Sequence, residues 1–344
     1  GAGGDGAGGG GDPLGCNPQT GLAAPLRLCT VSEPCTNVAA ELGPDPIATP
    51  EVAPVCATTD PDMPVFDDGP PLTFVDAEGN TRHHCRYTPP GAGAASKRPL
   101  VVWMHGGGGG LASDLYNFTL IRQKAEAYDL TGDPARLGFH VIAVQGLSAH
   151  YPTGAPRDGH HHDFYFRDLA SPSTNRDVAN VDRLIDEAVS AGDVDESRIY
   201  LMGWSNGGFF GQMYAISRHD TPTAGGNRVA GIALFSSADP FNNTSHDQSP
   251  SCQLDPYPTS TVPIFLVSRA CDIVTCDQAQ ADGLASPEFE AEPGHVVETW
   301  VSDLATKVQN PNVEWLIVSG IGTVVNACSP IPPCSVGGAV VNHV

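Results

Sequence analysis

Gly203-Trp204-Ser205-Asn206-Gly207 reads G-x-S-x-G, and Gly208 follows it. Before it lies the strand-like run "RIYLMGW"; after it comes the helix-like "FFGQMYAISR". In a strand–turn–helix setting the glycines let the chain turn sharply. The turn lifts the serine oxygen clear of a sheet, over a helix N-terminus. Ser205 is therefore a candidate nucleophile, weighed against an incidental serine in a glycine-rich turn. The second feature is "HGGGGG" at 105–110. Acyl transfer builds negative charge on a carbonyl oxygen, and backbone N–H donors already aimed at that point contribute about 3 kcal/mol each. Glycines let the backbone approach so closely. Gly107 is the expected first donor, with Gly106 and Gly108 as alternatives, and the Asn206 amide is the second. No G-K-[ST] follows the glycines, which excludes a phosphate-binding P-loop.

A serine nucleophile needs a base, and the base needs an orienting carboxylate. On this scaffold they follow in the order Ser, acid, His. Asp272 comes just after the apolar run "VPIFLVSR" and is the expected acid; Asp239 and Asp277 are the fallbacks. Two histidines lie beyond Asp272. His295 precedes a helical stretch, whereas His343 follows the last apolar run, so His343 is the expected base. "DGHHHDFYFRD" at 158–168 sets three histidines beside carboxylates. Weighed against a metal site, an exposed polar loop is the expectation. Phe164 and Tyr165 are expected to shape a substrate pocket, with Trp204 near its floor. His105 is read as part of the glycine loop, in reach of substrate, and not as a base. No metal and no cofactor is expected.

The elements that must position these residues show as short apolar runs at 99–105, 139–146, 198–204, 229–237, 262–269 and 313–320. Helical stretches alternate with them. The stretch at 174–192 places Val178, Val181, Leu184, Ile185 and Val189 on one face, and another covers 295–308. Such alternation implies a mostly parallel sheet with helices on both faces and a site beyond the carboxyl ends of the strands. Residues 1–12, "GAGGDGAGGGGD", read as a flexible tether. Residues 13–70, rich in Cys and Pro, read as a disulfide-tied extension, and 71–344 as the catalytic domain.

Of 344 residues, 39 are acidic and 17 basic, for a net charge of −22. That balance argues against a nucleic-acid partner, whose phosphates call for Lys and Arg. No run of 18 apolar residues occurs, so no membrane span is expected. The ten cysteines include no C-x-x-C pair. They read as disulfides formed outside the reducing cytosol, with Cys271–Cys276 and Cys328–Cys334 as the expected local bridges. Gly1 in place of a start methionine points to a processed or trimmed chain, and a lipid-anchored surface protein is one expectation.

Three pieces carry a family resemblance: "PLVVWMHGGGG", "NRDVANVDRLIDEAVSAGDVDESRIYLMGWSNGGFFGQMYA" and "VPIFLVSRACD". Over about residues 71–344 the chain resembles the polyhydroxybutyrate-depolymerase-like esterases, secreted α/β-hydrolases related to feruloyl and acetylxylan esterases. The resemblance implies an α/β-hydrolase fold and a triad of Ser205, Asp272 and His343. Where that family often has "HGxxD" and "GH-x-WP", this chain has "SRACD" and "VNHV". The elbow is also similar to the "GWSMGG" of bacterial cutinase-like polyester hydrolases. The expectation is a monomeric, secreted serine esterase acting on a polyester, with a feruloyl or acetylxylan ester as the alternative. A peptidase or thioesterase on the same scaffold, and a non-catalytic binding protein that kept the fold, are the rival classes.

Overall fold

In a computed structural model, the structure describes residues 45–46, 51–108, 110–150, 159–164, 171–219, 228–241, 257–269, 297–318, 335–336 and 339–340. Its centre is an eight-stranded sheet. In chain order the strands are β1 (Leu72–Val75), β2 (Thr81–Tyr87), β3 (Arg98–Met104), β4 (His140–Val144), β5 (Val194–Trp204), β6 (Gly231–Phe235), β7 (Ile264–Arg269) and β8 (Val313–Val318). Across the sheet they run β1-β2-β4-β3-β5-β6-β7-β8. β2 is antiparallel to both its neighbours, and every later pairing is parallel. The exchange of β3 and β4 in this order makes β3 the immediate neighbour of β5, pairing Met104 with Gly203. That pairing sets the glycine loop after β3 beside the serine turn after β5. This mostly parallel sheet, with a strand–serine–helix corner at its centre, is the α/β-hydrolase fold.

Alternation along the strands divides the core. Leu100, Val102, Met104, Ile199, Leu201, Leu234 and Leu266 face one way, toward helices α3 (Arg176–Ser190), α4 (Asn206–Arg218) and α5 (Val297–Thr306). Val101, Trp103, Val141 and Ala143 face the other, toward α1 (Asp114–Asn117) and α2 (Ile121–Ala127). The apolar face predicted for 174–192 forms as expected: Val178, Val181, Leu184 and Ile185 are buried, and Val189 packs at its margin. Trp300 of α5 is fully buried and donates from its indole nitrogen to Gln212 of α4 at 2.5 Å. Gln212 donates in turn to the Ala238 carbonyl at 2.8 Å, so the segment leaving β6 is tied to both helices. Burying a side chain of this size contributes about 2–3 kcal/mol.

The extension before the sheet is fastened to it by a disulfide, Cys56–Cys85, across a sequence separation of 29. Spacing favoured bridges between near neighbours, and this bridge joins distant ones. The other eight cysteines, including Cys271, Cys276, Cys328 and Cys334, lie outside the described residues. A second fastening is Arg122 of α2. It makes a two-toothed ion pair with Asp68, 2.7 Å on each side, under the ring of Tyr87. Among the described residues no helix is long and apolar enough to cross a membrane.

Closing a loop of this length restricts the unfolded chain by about 3–4 kcal/mol. Reductant, or Cys56→Ser with Cys85→Ser, should therefore lower the denaturant midpoint clearly; an unchanged midpoint would deny the bridge a stabilising role. Burial also holds the His84 imidazole down from 6.5 to about 4. A depressed histidine contributes stability in full above its ordinary value and loses it as pH falls toward the folded one. Unfolding free energies near pH 7 and pH 4.5 should differ by on the order of 2 kcal/mol from this residue. His84→Gln should shrink that difference, and a slope untouched by the change would assign the acid lability elsewhere.

Candidate active site

The turn at Ser205 has the geometry that its sequence demands. Ser205 stands at φ 52°, ψ −122°, between the end of β5 and the first residue of α4. A residue bearing a Cβ is held at positive φ only where the surroundings over-determine it. They do so here: the Ser205 N–H donates to the Phe235 carbonyl of β6 at 3.0 Å. The Ser205 carbonyl accepts from Gly208 and Phe209, at 2.8 and 3.0 Å. The flanking glycines are needed for space. A Cβ on Gly203 would lie 2.4 Å from the Gly207 carbonyl oxygen, and one on Gly207 2.4 Å from that of Met104. No backbone can give way by that much, so the motif G-x-S-x-G records three main-chain segments in contact.

The glycine loop after β3 meets this corner at Gly107. A Cβ built on Gly107 would lie 3.2 Å from the Asn206 Cβ. The two expected donors are thus neighbours, and the Asn206 N–H opens α4, where helix amides have no partner within the helix. The loop is held from below by His105, which is fully buried. Its Nε2 accepts the Gly146 N–H at 2.9 Å, which leaves the proton on Nδ1, 2.5 Å from the Gly106 carbonyl. Burial first, and the neighbouring His162 second, hold this imidazole well below its ordinary range. The expectation that His105 reaches substrate is therefore corrected: it is a neutral bracket beneath the loop, spent on two backbone groups.

The histidine run, expected to be an exposed polar loop, is also corrected. His160, His161 and His162 are all buried; the His161 ring borders Gly107, and the His162 ring stacks on Phe210 of α4. Gly159–His161 forms a short strand against Leu147–His150. Beyond it, side chains take over the work of a partner strand. The Asn206 carboxamide accepts the His162 N–H at 2.7 Å and donates to the His162 carbonyl at 3.0 Å. The Asp163 N–H donates to Asp177 at 2.7 Å, and its carbonyl accepts from the Asn175 side chain at 2.7 Å. Asn175 caps α3 with the same side chain, and Asp177 also pairs with the buried Arg82 guanidinium. On the far side the His160 N–H donates to the Gly108 carbonyl at 2.9 Å, and the Gly108 N–H donates to His161 Nε2 at 3.0 Å. Glu51 of the extension receives Ser148 N–H at 2.7 Å and lies 3.0 Å from His160 Nε2.

These contacts account for the most distinctive part of the sequence. Asn175 and Asp177 of "NRD" and Asn206 of the elbow read the backbone of one segment. Sequence reasoning credited Asn206 for its amide alone and passed over Asn175, Asp177 and Glu51; the N-cap position of Asn175 before an apolar helical face was the available signal. His162 is held down to about 3, chiefly by burial, and so stays neutral. Among the described residues no group of three His, Cys, Asp or Glu is placed to hold a metal.

Trp204 lines an apolar cleft of about 430 Å³ with Trp103, Phe118, Met202, Phe235 and Phe265. Phe164, expected at a substrate pocket, is instead buried in the core and stacked on Phe209 at 5.1 Å. Asp239, the fallback acid, is buried, accepting from the Tyr257 hydroxyl at 2.5 Å and the Phe241 N–H at 2.8 Å. Asp272, His343, Tyr165 and the alternatives Asp277 and His295 lie outside the described residues. Asn206→Ala strips two buried backbone groups of these partners at about 1–3 kcal/mol each. Its denaturant midpoint should therefore report a loss of roughly 2–6 kcal/mol; a wild-type midpoint would show that the histidine segment does not depend on α4.

No protein-family model matches the chain. Over 264 residues it is 26% identical to the "Putative esterase NocK" of Nocardia uniformis subsp. tsuyamanensis, an alignment covering 75% of this chain and 65% of that protein. The chain thus spans just under two thirds of that relative's length. Among solved structures it is similar to a thermostable esterase, at 16% identity and a TM-score of 0.40, covering 77% of this chain and 62% of the other. It is also similar to the hyperthermophilic esterase from the archaeon Pyrobaculum calidifontis, at 15% identity and a TM-score of 0.43, covering 73% and 75%.

Proposed function

We propose that the chain is a serine hydrolase of carboxylic esters. The observation that carries this reading is the strained Ser205 corner, with Gly107 and Asn206 side by side next to it. Ser205 Oγ attacks the ester carbonyl, and the oxygen that gains charge is held by the Asn206 N–H and a backbone N–H of the glycine loop, taken to be that of Gly107. His343 takes the serine proton and returns it to the leaving alcohol, while Asp272 orients the imidazole. Water then enters as the second nucleophile, releases the acid and restores Ser205. None of these steps calls for a cofactor. The relative that carries the name "Putative esterase NocK", aligned over three quarters of this chain, supports the same reaction class.

For the substrate we favour an ester with an apolar acyl part, of the kind found in polyesters. The support is the apolar cleft walled by Trp204, the residue before Ser205. A feruloyl or acetyl ester on a polysaccharide is the alternative. The Cys56–Cys85 bridge supports a location outside the reducing cytosol.

Hydrolysis of p-nitrophenyl acetate, with labelling by a fluorophosphonate, tests the reaction. Ser205→Ala should abolish labelling and lower kcat/KM by at least about a thousandfold. Activity that survives the substitution would overturn the assignment. Parallel assays on polyhydroxybutyrate, an aromatic polyester film and methyl ferulate rank the substrates. Turnover of methyl ferulate alone would reverse the preference for an apolar polyester.

A further inference from the structure

The expected oxyanion hole is built from two separate parts, the glycine loop after β3 and the first turn of α4. Catalysis by such a hole depends on the two donors keeping a fixed separation. A loop of consecutive glycines cannot keep it unaided, because each glycine has more backbone freedom than any other residue. Something must hold the loop against the helix.

The structure places one imidazole in that position. His161 is buried, and its Nε2 accepts the Gly108 N–H at 3.0 Å. The same ring fills the space beside Gly107: a Cβ there would lie 2.5 Å from both Cε1 and Nδ1 of His161. The same point lies 3.2 Å from the Asn206 Cβ, so the His161 ring and Asn206 together close the face of Gly107 on which a side chain would stand. His161 itself is fixed on both flanks. His160 N–H is bonded to the Gly108 carbonyl, and both backbone groups of His162 are bonded to the Asn206 side chain. One three-residue segment thus reaches the loop with its first two members and the nucleophile turn with its third.

We infer that His161 is a positioning residue: its imidazole fixes the glycine loop at the spacing from Asn206 that oxyanion binding requires. This rests on the serine-esterase reading and adds to it a residue outside the expected triad. The role needs an acceptor at the Nε2 position and the bulk of a ring, but no proton transfer to substrate. A glutamine carries an acceptor oxygen at a similar reach, whereas phenylalanine keeps the bulk and lacks the acceptor.

His161→Gln and His161→Phe separate positioning from mere filling. With p-nitrophenyl acetate, His161→Phe should lose about 100-fold in kcat, as expected when an oxyanion donor is misplaced, with KM within about twofold. His161→Gln should stay within about tenfold of the wild type. The Gly108 amide gives a readout independent of turnover: in His161→Phe its hydrogen should exchange faster and its proton resonance move upfield. Wild-type kcat in His161→Phe would overturn the inference. So would equal losses in both variants accompanied by lowered melting temperatures, since that pattern marks a core residue only. Active wild type with an unaffected His161→Phe sinks this inference alone; an inactive wild type sinks the esterase reading and this inference with it.

Discussion

Ser205 holds its strained corner because three stretches of backbone meet there with no room for side chains. The end of β3, the turn after β5 and the first turn of α4 approach so closely that Cβ atoms on Gly203 or Gly207 would sit inside neighbouring carbonyls. That closeness arises from the order of the sheet. β3 and β5 are adjacent, and in parallel register, although β4 lies between them in sequence. The glycine loop is thereby delivered to the serine, and each later feature of the site is a means of keeping it there.

The means are mostly polar and buried, which is costly unless every group is matched. The segment Gly159–Asp163 shows how the matching is done. Its first residues pair as a strand, and the next ones are held by Asn206, Asn175 and Asp177. A carboxamide satisfies a peptide N–H and C=O together, so it replaces a partner strand where a helix end must be joined to a loop. Helices α3 and α4 thus act as anchors through their first turns and as core elements through their apolar faces.

The histidines belong to the same economy. His105 and His162 are neutral because burial makes the charged form expensive. A neutral imidazole offers one donor and one acceptor, and His105 spends both on backbone groups of different loops. A charged side chain in either place would put a cation beside the expected hole and leave the matching incomplete. Glu51 extends the arrangement outward, so that a residue preceding the sheet helps to hold the histidine segment. The disulfide at Cys56, five positions further on, keeps that segment near β2.

Much of this was legible in the residues. Apolar runs placed the six core strands to within a few positions, because a buried parallel strand needs a continuous apolar stretch. The glycines at 203 and 207 marked the elbow, because only their lack of a Cβ fits the contact. What the sequence could not decide was which side chain faces which backbone. The three histidines read as an exposed loop since a polar run ordinarily seeks water; the fold buries them because Gly108, Asn206 and Glu51 supply partners from 44 to 109 positions away. The bridge from Cys56 to Cys85 was hidden for the same reason. Local pattern is set by the chemistry of neighbouring residues, and the sequence carries it openly. Partnership across the fold is set by the order of strands, and only the assembled sheet reveals it.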